Sequence, residues 1–343
     1  MGEVAARAGV SKTAVSFAFN APTRLSEGTL RHILEVADEL GYVRDPAARM
    51  LRTRQAHAIG LLVPQDLPDV LANPYFAHFM GGIGQVCARE GLSLLVVPPL
   101  AGSMLEAIPS AAVDGFVVSG LDTDRGELRA LRRRGSPFVL VDSDEMPGVS
   151  WVGIDDYQGA RSVMEFVLSQ GHREIALLVL GSRSDPGGRY PAPVQRRLAG
   201  AIAALETSGL SLKSRSVRLV EVLATHQAGG DAFRRLWAAR RRPTAVVAFS
   251  DIVAIGAMHA ARDLGVDVPG QVSIAGFDDI AEAQWVHPAL TTVHQPIEAK
   301  GRLAAEYLVD TVAAGGTVDV RRPLLHVALV VRDSVGPVPD EAG

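Results

Sequence analysis

The chain has 343 residues, enough for two or three units with sizeable cores rather than one small domain. Its single cysteine, Cys87, excludes an internal disulfide, and no charged, apolar leader precedes Val4, so a reducing cytoplasm is the expected compartment. The longest charge-free apolar run, Leu92 to Leu105, is broken by Pro98 and Pro99 and is too short to span a bilayer, so no membrane partner is expected.

Net charge is −4 but unevenly spread: up to Arg54 eight basic residues stand against six acidic ones, and the remainder is acidic. A polyanion is therefore expected at the head. There a short helix around Val4 to Ala8 ends at Gly9. Ser11 can cap a second helix, with Val10 stapled onto Val15. On that helix Val15, Ala18 and Phe19 share one face, the core side, while Thr13, Ser16, Phe17 and Asn20 share the other. A third helix repeats the grammar, with Ser26 as cap, Leu25 and Leu30 as staple, a stripe of Leu30, Ile33, Leu34, Ala37 and Leu40, and Gly41 as stop. Three short helices with a glycine turn match a helix-turn-helix, whose second helix enters the major groove. The candidate DNA contacts are Lys12, Thr13, Ser16, Phe17 and Asn20, with Arg24 just beyond.

The following stretch, "DPAARMLRTRQ", reads as a short helix that folds only against a partner. Asp45 caps it, Pro46 takes its first position, and Leu51 sits among Arg49, Arg52 and Arg54. A leucine wedge flanked by arginines suits the minor groove; an ordinary basic linker is the alternative.

Beyond residue 57 the pattern changes to eight short Val/Ile/Leu runs before Asp278, from "AIGLLVP" to "VSIAGF", alternating with amphipathic segments such as Phe76 to Glu90 and Asp251 to Leu264. This is the signature of parallel strands with crossover helices, in two lobes. Ligands in such sheets sit beyond the carboxyl ends of the strands. That rule makes Tyr75, Phe76, Ser250, Asp251 and Asp278 candidates. A carboxylate and a guanidinium, Asp278 and Arg197, would bind vicinal hydroxyls in pairs, and Trp285 is a further aromatic candidate. The same residues could instead be helix caps (Ser250, Asp251), turn residues (Asp278) and a surface charge (Arg197). No Gly-Lys pair, His-Glu-x-x-His or paired-cysteine spacing occurs, so no metal, no cofactor and no catalytic residues are expected.

The stretches "EVAARAGVSKTAVSFAFN", "RLSEGTLRHILEVADELGY", "PAARMLR", "NPYFAHFMGGI", "GHREIALL", "SDIVAIGAMHAARDLGVDVPGQVSIAGFDD" and "PALTTVHQP" resemble, in order, the lactose/galactose repressor (LacI/GalR) family. The resemblance implies an all-α helix-turn-helix head (1–44), a hinge helix and linker (45–56), and an α/β bilobal core (57–333) of two doubly wound parallel sheets, similar to periplasmic binding proteins. It implies a first lobe of 57–170 and 289–315, a second of 171–288 and 316–333, and a C-terminal tail (334–343). Arg197 and Asp278 fall on effector-contacting positions. The implied partners are operator DNA, a small-molecule effector of sugar type and a second copy of the chain, with a tetramer as the alternative. A cytoplasmic sugar-binding protein with a degenerate head is the competing reading.

Four departures matter. Family members commonly carry arginine at the position of Phe17, and phenylalanine cannot donate to a guanine edge. An altered operator preference is the favoured reading; packing within the head, or lost DNA binding, are the others. Ser250 stands where the family most often has asparagine, and "RYPAPV" replaces the polar residues of the purine-responsive branch before Arg197, which argues against a purine. Relatives also carry a few residues ahead of the position of Glu3, so helix 1 is expected to lack its cap.

Overall fold

The computed structural model describes residues 1–42, 50, 55–121, 126–181, 190–316 and 319–338. Contacts divide the chain into two units, Met1–Ala56 and His57–Gly343, taken here one at a time.

The head consists of α1 (Gly2–Arg7), α2 (Lys12–Asn20), a 3-10 turn at Pro22–Arg24 and α3 (Glu27–Glu39). Ser11 Oγ accepts from the Ala14 amide at 3.1 Å and Ser26 Oγ from the Thr29 amide at 3.3 Å, so both expected caps form. Gly9, at φ 65°, turns α1 into α2 in a conformation that carries no penalty for glycine. No side chain caps α1. Val4, Ala5, Ala8, Val15, Ala18, Ile33, Val36 and Ala37 form the core, with Val10, Phe19, Leu25 and Leu30 packed against it. The apolar stripe of α3 is rotated from its expected line: Val36 is buried, whereas Leu34 and Leu40 are 41% and 36% exposed. Leu34 lies a full 100° around the helix from Ile33, and Leu40 falls at the C-cap, where the helix has already ended. The hinge expected at 45–56, including Arg49, Leu51 and Arg52, lies mostly outside the described residues.

The second unit holds two parallel sheets. The first runs β11 (Leu324–Leu325), β5 (Trp151–Ile154), β4 (Phe138–Val141), β3 (Gly115–Ser119), β1 (Ala58–Leu62), β2 (Ser93–Val97) from edge to edge. The second runs β7 (Val217–Val222), β6 (Ile175–Leu180), β8 (Ala245–Ala248), β9 (Ser273–Ala275). Strands β1, β3, β6 and β8 are buried along almost their whole length, which is why they read as unbroken apolar runs. Eight of the strands in the two sheets are those expected from the sequence; β5 and β11 were not.

Helices cover both sheets. On the first lie α4 (Leu67–Ala72), α5 (Pro74–Glu90), α6 (Met104–Ser110), α7 (Gly126–Arg134) and α13 (Ile297–Ala313). With the second go α8 (Asp156–Ser169), α9 (Ala192–Thr207), α10 (His226–Ala238), α11 (Asp251–Asp263) and the short α12 (Glu282–Trp285). The helices pair closely. A Cβ on Gly256 of α11 would lie 1.9 Å from the His226 carbonyl oxygen of α10, so only glycine admits that approach.

The lobes are linked at three points, and each differs from its expected position. The chain first crosses at Asp155, not near 171: β5 belongs to the first sheet, while α8 already packs in the core of the second lobe with Val194, Ala201 and Leu205 of α9. It returns at 295–296, not near 288, because Thr291 and His294 of the β10 (Thr292–His294) region still bridge to Ala275 and Asp278. It crosses finally between Leu325 and Ala328, not near 316: β11 joins β5, and β12 (Ala328–Val330) pairs antiparallel with β10. The expected positions followed helix ends and glycines; the actual ones follow strand ends, where a chain leaving one sheet can feed the next. Residues 334–338 are a working part of the second lobe rather than a tail. Ser334 is fully buried and its Oγ donates to the Ile274 carbonyl at 2.6 Å, while the Val338 amide donates to Gln170.

Candidate functional site

On the head, the residues expected to face DNA occupy one side of α2. Lys12, Thr13 and Asn20 are exposed, Ser16 and Phe17 half-buried, and Arg24 is exposed on the following turn. Asn20 Nδ2 donates back to the Ser16 carbonyl at 2.7 Å. The Arg24 guanidinium lies over the Phe17 ring, 5.3 Å from its centroid, a cation–π contact that makes Phe17 a platform for an arginine supplied seven residues later.

In the second unit a cavity of about 530 Å³ lies between the lobes. Its first-lobe wall includes Pro64, Asn73, Tyr75, Phe76, Ser119 and Asp142; its second-lobe wall includes Leu180, Val194, Arg197, Phe249, Ser250 and Asp278. Five of the seven expected effector residues, Tyr75, Phe76, Arg197, Ser250 and Asp278, therefore come together. The other two do not line it. Asp251 is fully buried behind the wall, where its carboxylate accepts from Thr292 Oγ1 (2.5 Å) and the Ile280 amide (3.0 Å). Trp285 is 75% exposed on α12, because a four-residue helix gives its large ring nothing to pack against.

Behind the lining residues a network of polar groups joins the two walls. Lys300, on α13 and fully buried, places Nζ 2.8 and 2.6 Å from the two Asp142 oxygens, 2.8 Å from Tyr75 Oη and 2.6 Å from Gln295 Oε1. Tyr75 Oη donates to Asp142. Gln295, in the second crossing, donates through Nε2 to Asp278 Oδ1, and Ser250 Oγ donates to Asp278 Oδ2 at 2.8 Å. Asp278 also faces Arg197 at 3.8 Å. Arg197 in turn donates through Nε to Asp156 (2.9 Å) and through a terminal nitrogen to the Phe249 carbonyl (2.7 Å), with its guanidinium stacked 3.7 Å from the Phe277 ring centroid. Asp156, just after the first crossing, accepts from Arg196, and Arg196 reaches Asp144 at 3.3 Å. Asp144 is two residues from Asp142, so the network returns to the loop where it began.

These surroundings set the protonation of the network. For Asp142, burial alone would raise the carboxyl, but the Lys300 ammonium outweighs it and holds the group below its usual range. Burial pushes Asp278 up, against the pull of Arg197. Burial and then the Asp278 charge push Asp251 up to about 8. Burial, followed by Asp142, keeps the Tyr75 phenol protonated well above its ordinary range. Asp142 and Asp278 both sit at positive φ: 49° for Asp142, in the left-handed region that aspartate enters more readily than most side chains, and 133° for Asp278, a conformation strained for any residue but glycine and of the kind that concentrates where a side chain has to be aimed.

Asp142, Asp156, Gln295 and Lys300 were not among the candidates from sequence. Asp142 was within reach of the strand-end rule, since it follows "FVLV" directly. Asp156 follows the unrecognised β5. Lys300 carries no signal: a lysine on an amphipathic helix ordinarily marks the solvated side.

Known proteins place this geometry. Residues 1–45 match the lacI family of bacterial regulatory proteins, and residues 164–335 match the periplasmic binding protein-like domain. An HTH-type transcriptional regulator of Mycobacterium tuberculosis is 37% identical over 332 residues, covering 92% of this chain and 91% of the relative. The HTH-type transcriptional regulator MalR of Streptomyces coelicolor is 33% identical, covering 100% of this chain and 98% of its own. Among solved structures, a complex of the transcriptional regulator CelR with cellobiose superposes with a TM-score of 0.70 at 29% identity, covering 97% of this chain and 98% of that one. The lac repressor dimer bound to operator shares the fold at a TM-score of 0.78 and 24% identity, covering 97% and 98%. The chain belongs to the LacI family of bacterial regulatory proteins and is a transcriptional regulator with a helix-turn-helix head and a periplasmic-binding-protein-like core.

Proposed function

We propose that this regulator binds a pseudo-palindromic operator as a homodimer, represses transcription there, and is controlled by a saccharide in the interlobe cleft. The observation that carries the effector half is the convergence of Asp278, Arg197, Ser250 and the Tyr75–Phe76 aromatic pair on one cavity of about 530 Å³. Its size lies within the roughly 300–1,000 Å³ typical of small-molecule sites. Paired hydrogen-bonding groups beside aromatic faces suit a ring bearing hydroxyls. The CelR–cellobiose complex supports the same class of ligand, and a regulator from Enterococcus faecium solved with bound ribose supports it further.

Control follows from where the cleft lies. A ligand touching Asp142 in one lobe and Asp278 in the other favours one relative setting of the lobes by its differential affinity for it. In this proposal Lys12, Thr13, Ser16, Phe17, Asn20 and Arg24 meet the operator, and the segment containing Arg49, Leu51 and Arg52 meets the minor groove at its centre. No helix among the described residues is long and apolar enough to cross a membrane, and the proposed place of action is the cytoplasm.

The test is selection of bound duplexes from a randomised pool with the full-length protein at fixed salt, repeated with and without cellobiose and ribose. An inverted-repeat consensus whose occupancy changes with one sugar supports the proposal. Salt-sensitive retention without a consensus rejects the operator half.

A further inference from the structure

Among the described residues every positive charge in and under the cleft is matched by a carboxylate: three cations, Lys300, Arg197 and Arg196, meet four carboxylates, Asp142, Asp278, Asp156 and Asp144, at 2.6–3.8 Å, and each cation already holds at least one of them. A fifth carboxyl, Asp251, with its pKa pushed up to about 8 by burial and by the Asp278 charge, keeps its proton at neutral pH and adds no charge. Backbone sites that would welcome an anion are also occupied from within. Asp278 Oδ2 lies 3.4 Å from the first amide of α11, Asn73 Oδ1 takes the Tyr75 amide of α5, and Ser103 Oγ takes the Glu106 amide of α6. Thr225 Oγ1 takes the Ala228 amide of α10, and the starts of α4 and α9 each carry proline in their first two positions and offer few amides. At the rim, Asp66, Asp69 and Glu127 add negative charge.

We propose that the cleft takes an uncharged, polyhydroxylated ligand and rejects phosphorylated or carboxylated sugars, with the Asp142–Lys300 pair setting that charge class. The inference rests on the reading of the cleft as the effector site. Among the described residues no cation on its walls is left to pair with an incoming phosphate, which would have to displace Asp142 or Asp278 from a partner it already satisfies. Hydroxyls need no such exchange. They donate to the outward lone pairs of Asp142 and Asp278 and accept from Asn73, which lines the same wall. Asp142 matters most because Lys300 lies directly beneath it: with the carboxylate gone, a buried ammonium faces the ligand with no counter-charge, and the site becomes one for anions.

The experiment is calorimetric titration of the full-length protein at fixed ionic strength with ribose, glucose and cellobiose and with ribose 5-phosphate, glucose 6-phosphate and cellobiose 6′-phosphate. At least one neutral sugar binds, and its phosphorylated counterpart binds at least about 100-fold more weakly, as like-charge juxtaposition in a desolvated site requires. In Asp142→Asn that ratio shrinks at least about tenfold, and adding Lys300→Met restores it, because the second change removes the uncompensated cation. A phosphorylated sugar that binds as tightly as its neutral partner overturns the charge class and leaves the saccharide reading standing. A ratio unmoved by Asp142→Asn overturns the role of the pair. A flat response to all six sugars removes the saccharide reading and the inference with it. The parent protein alone decides the charge class, whether or not the variants fold.

Discussion

Lys300→Met isolates what the polar network behind the cleft contributes to stability. Methionine fills nearly the same volume, so the perturbation is electrostatic: an ammonium with contacts at 2.6–2.8 Å to Asp142, Tyr75 and Gln295 is replaced by a thioether that can donate to none of them. Two unit charges at that distance interact by roughly 6 kcal/mol at an effective dielectric of about 20. Part of this offsets the cost of burying the lysine, and breaking such a pair from one side typically destabilises by about 3–5 kcal/mol. For a unit of this size that corresponds to a fall in the core's melting temperature of roughly 6–20 °C. Thermal and urea unfolding followed by circular dichroism measure it. The double variant Lys300→Met/Asp142→Asn, which has neither charge, recovers most of the loss. A single variant within about 1 kcal/mol of the parent, or a double variant no better than the single, refutes the view that the pair is a compensated unit.

Three further outcomes follow from the geometry. Because Asp251 holds its proton up to about pH 8 when folded but releases it near its ordinary value of 3.8 when unfolded, core stability declines as pH rises between those values. The slope is at most about 1.4 kcal/mol per unit; Asp251→Asn flattens it, and an unchanged slope in urea titrations at pH 5, 6.5 and 8 argues against the assignment. Phe17→Ala removes the platform under Arg24 and weakens operator binding roughly two- to five-fold, the worth of an exposed cation–π contact; equal affinity in a gel-shift titration excludes a supporting role for the ring. Gly256→Ala forces α10 and α11 apart, since its methyl would lie 1.9 Å from the His226 carbonyl, and destabilises the core by about 1–3 kcal/mol; a melt matching the parent shows that the helices separate without penalty.

Much of the architecture was legible because its signals are local. Ser11 and Ser26 cap as a serine before an apolar-periodic stretch should, and eight strands announced themselves as short apolar runs, most of them buried on both faces. The strand-end rule delivered Tyr75, Ser250 and Asp278 to the cleft wall. What escaped is non-local. β5 was missed, and the three lobe crossings depend on which sheet accepts each segment, a choice made by packing against segments tens to well over a hundred residues away in sequence. Lys300 and Asp142 stand 158 positions apart, and nothing beside either one in the chain marks it as half of a buried pair. Trp285 failed for the opposite reason, an aromatic near the expected site that its four-residue helix turns outward. The Phe17 question changed form: the ring has a partner, Arg24, so a lost guanidinium at one position is accompanied by an ordered one close by.

The network of charges behind the cleft also bears on how a regulator of this kind can change its ligand over generations. Each member touches at least two others, so replacing Asp142 or Lys300 alone leaves a buried charge without its counter-charge, and replacing Asp278 or Arg197 alone breaks the bonds that tie Ser250, Gln295 or Asp156 into the network. Viable routes to a new specificity then run through compensated double changes, or through substitutions on the neutral walls at Leu180, Val194 and Phe76, which reshape the cavity without touching its balance. Mutational libraries that vary wall positions singly and network positions in charge-matched pairs would therefore sample functional proteins far more densely than libraries that treat all lining positions alike.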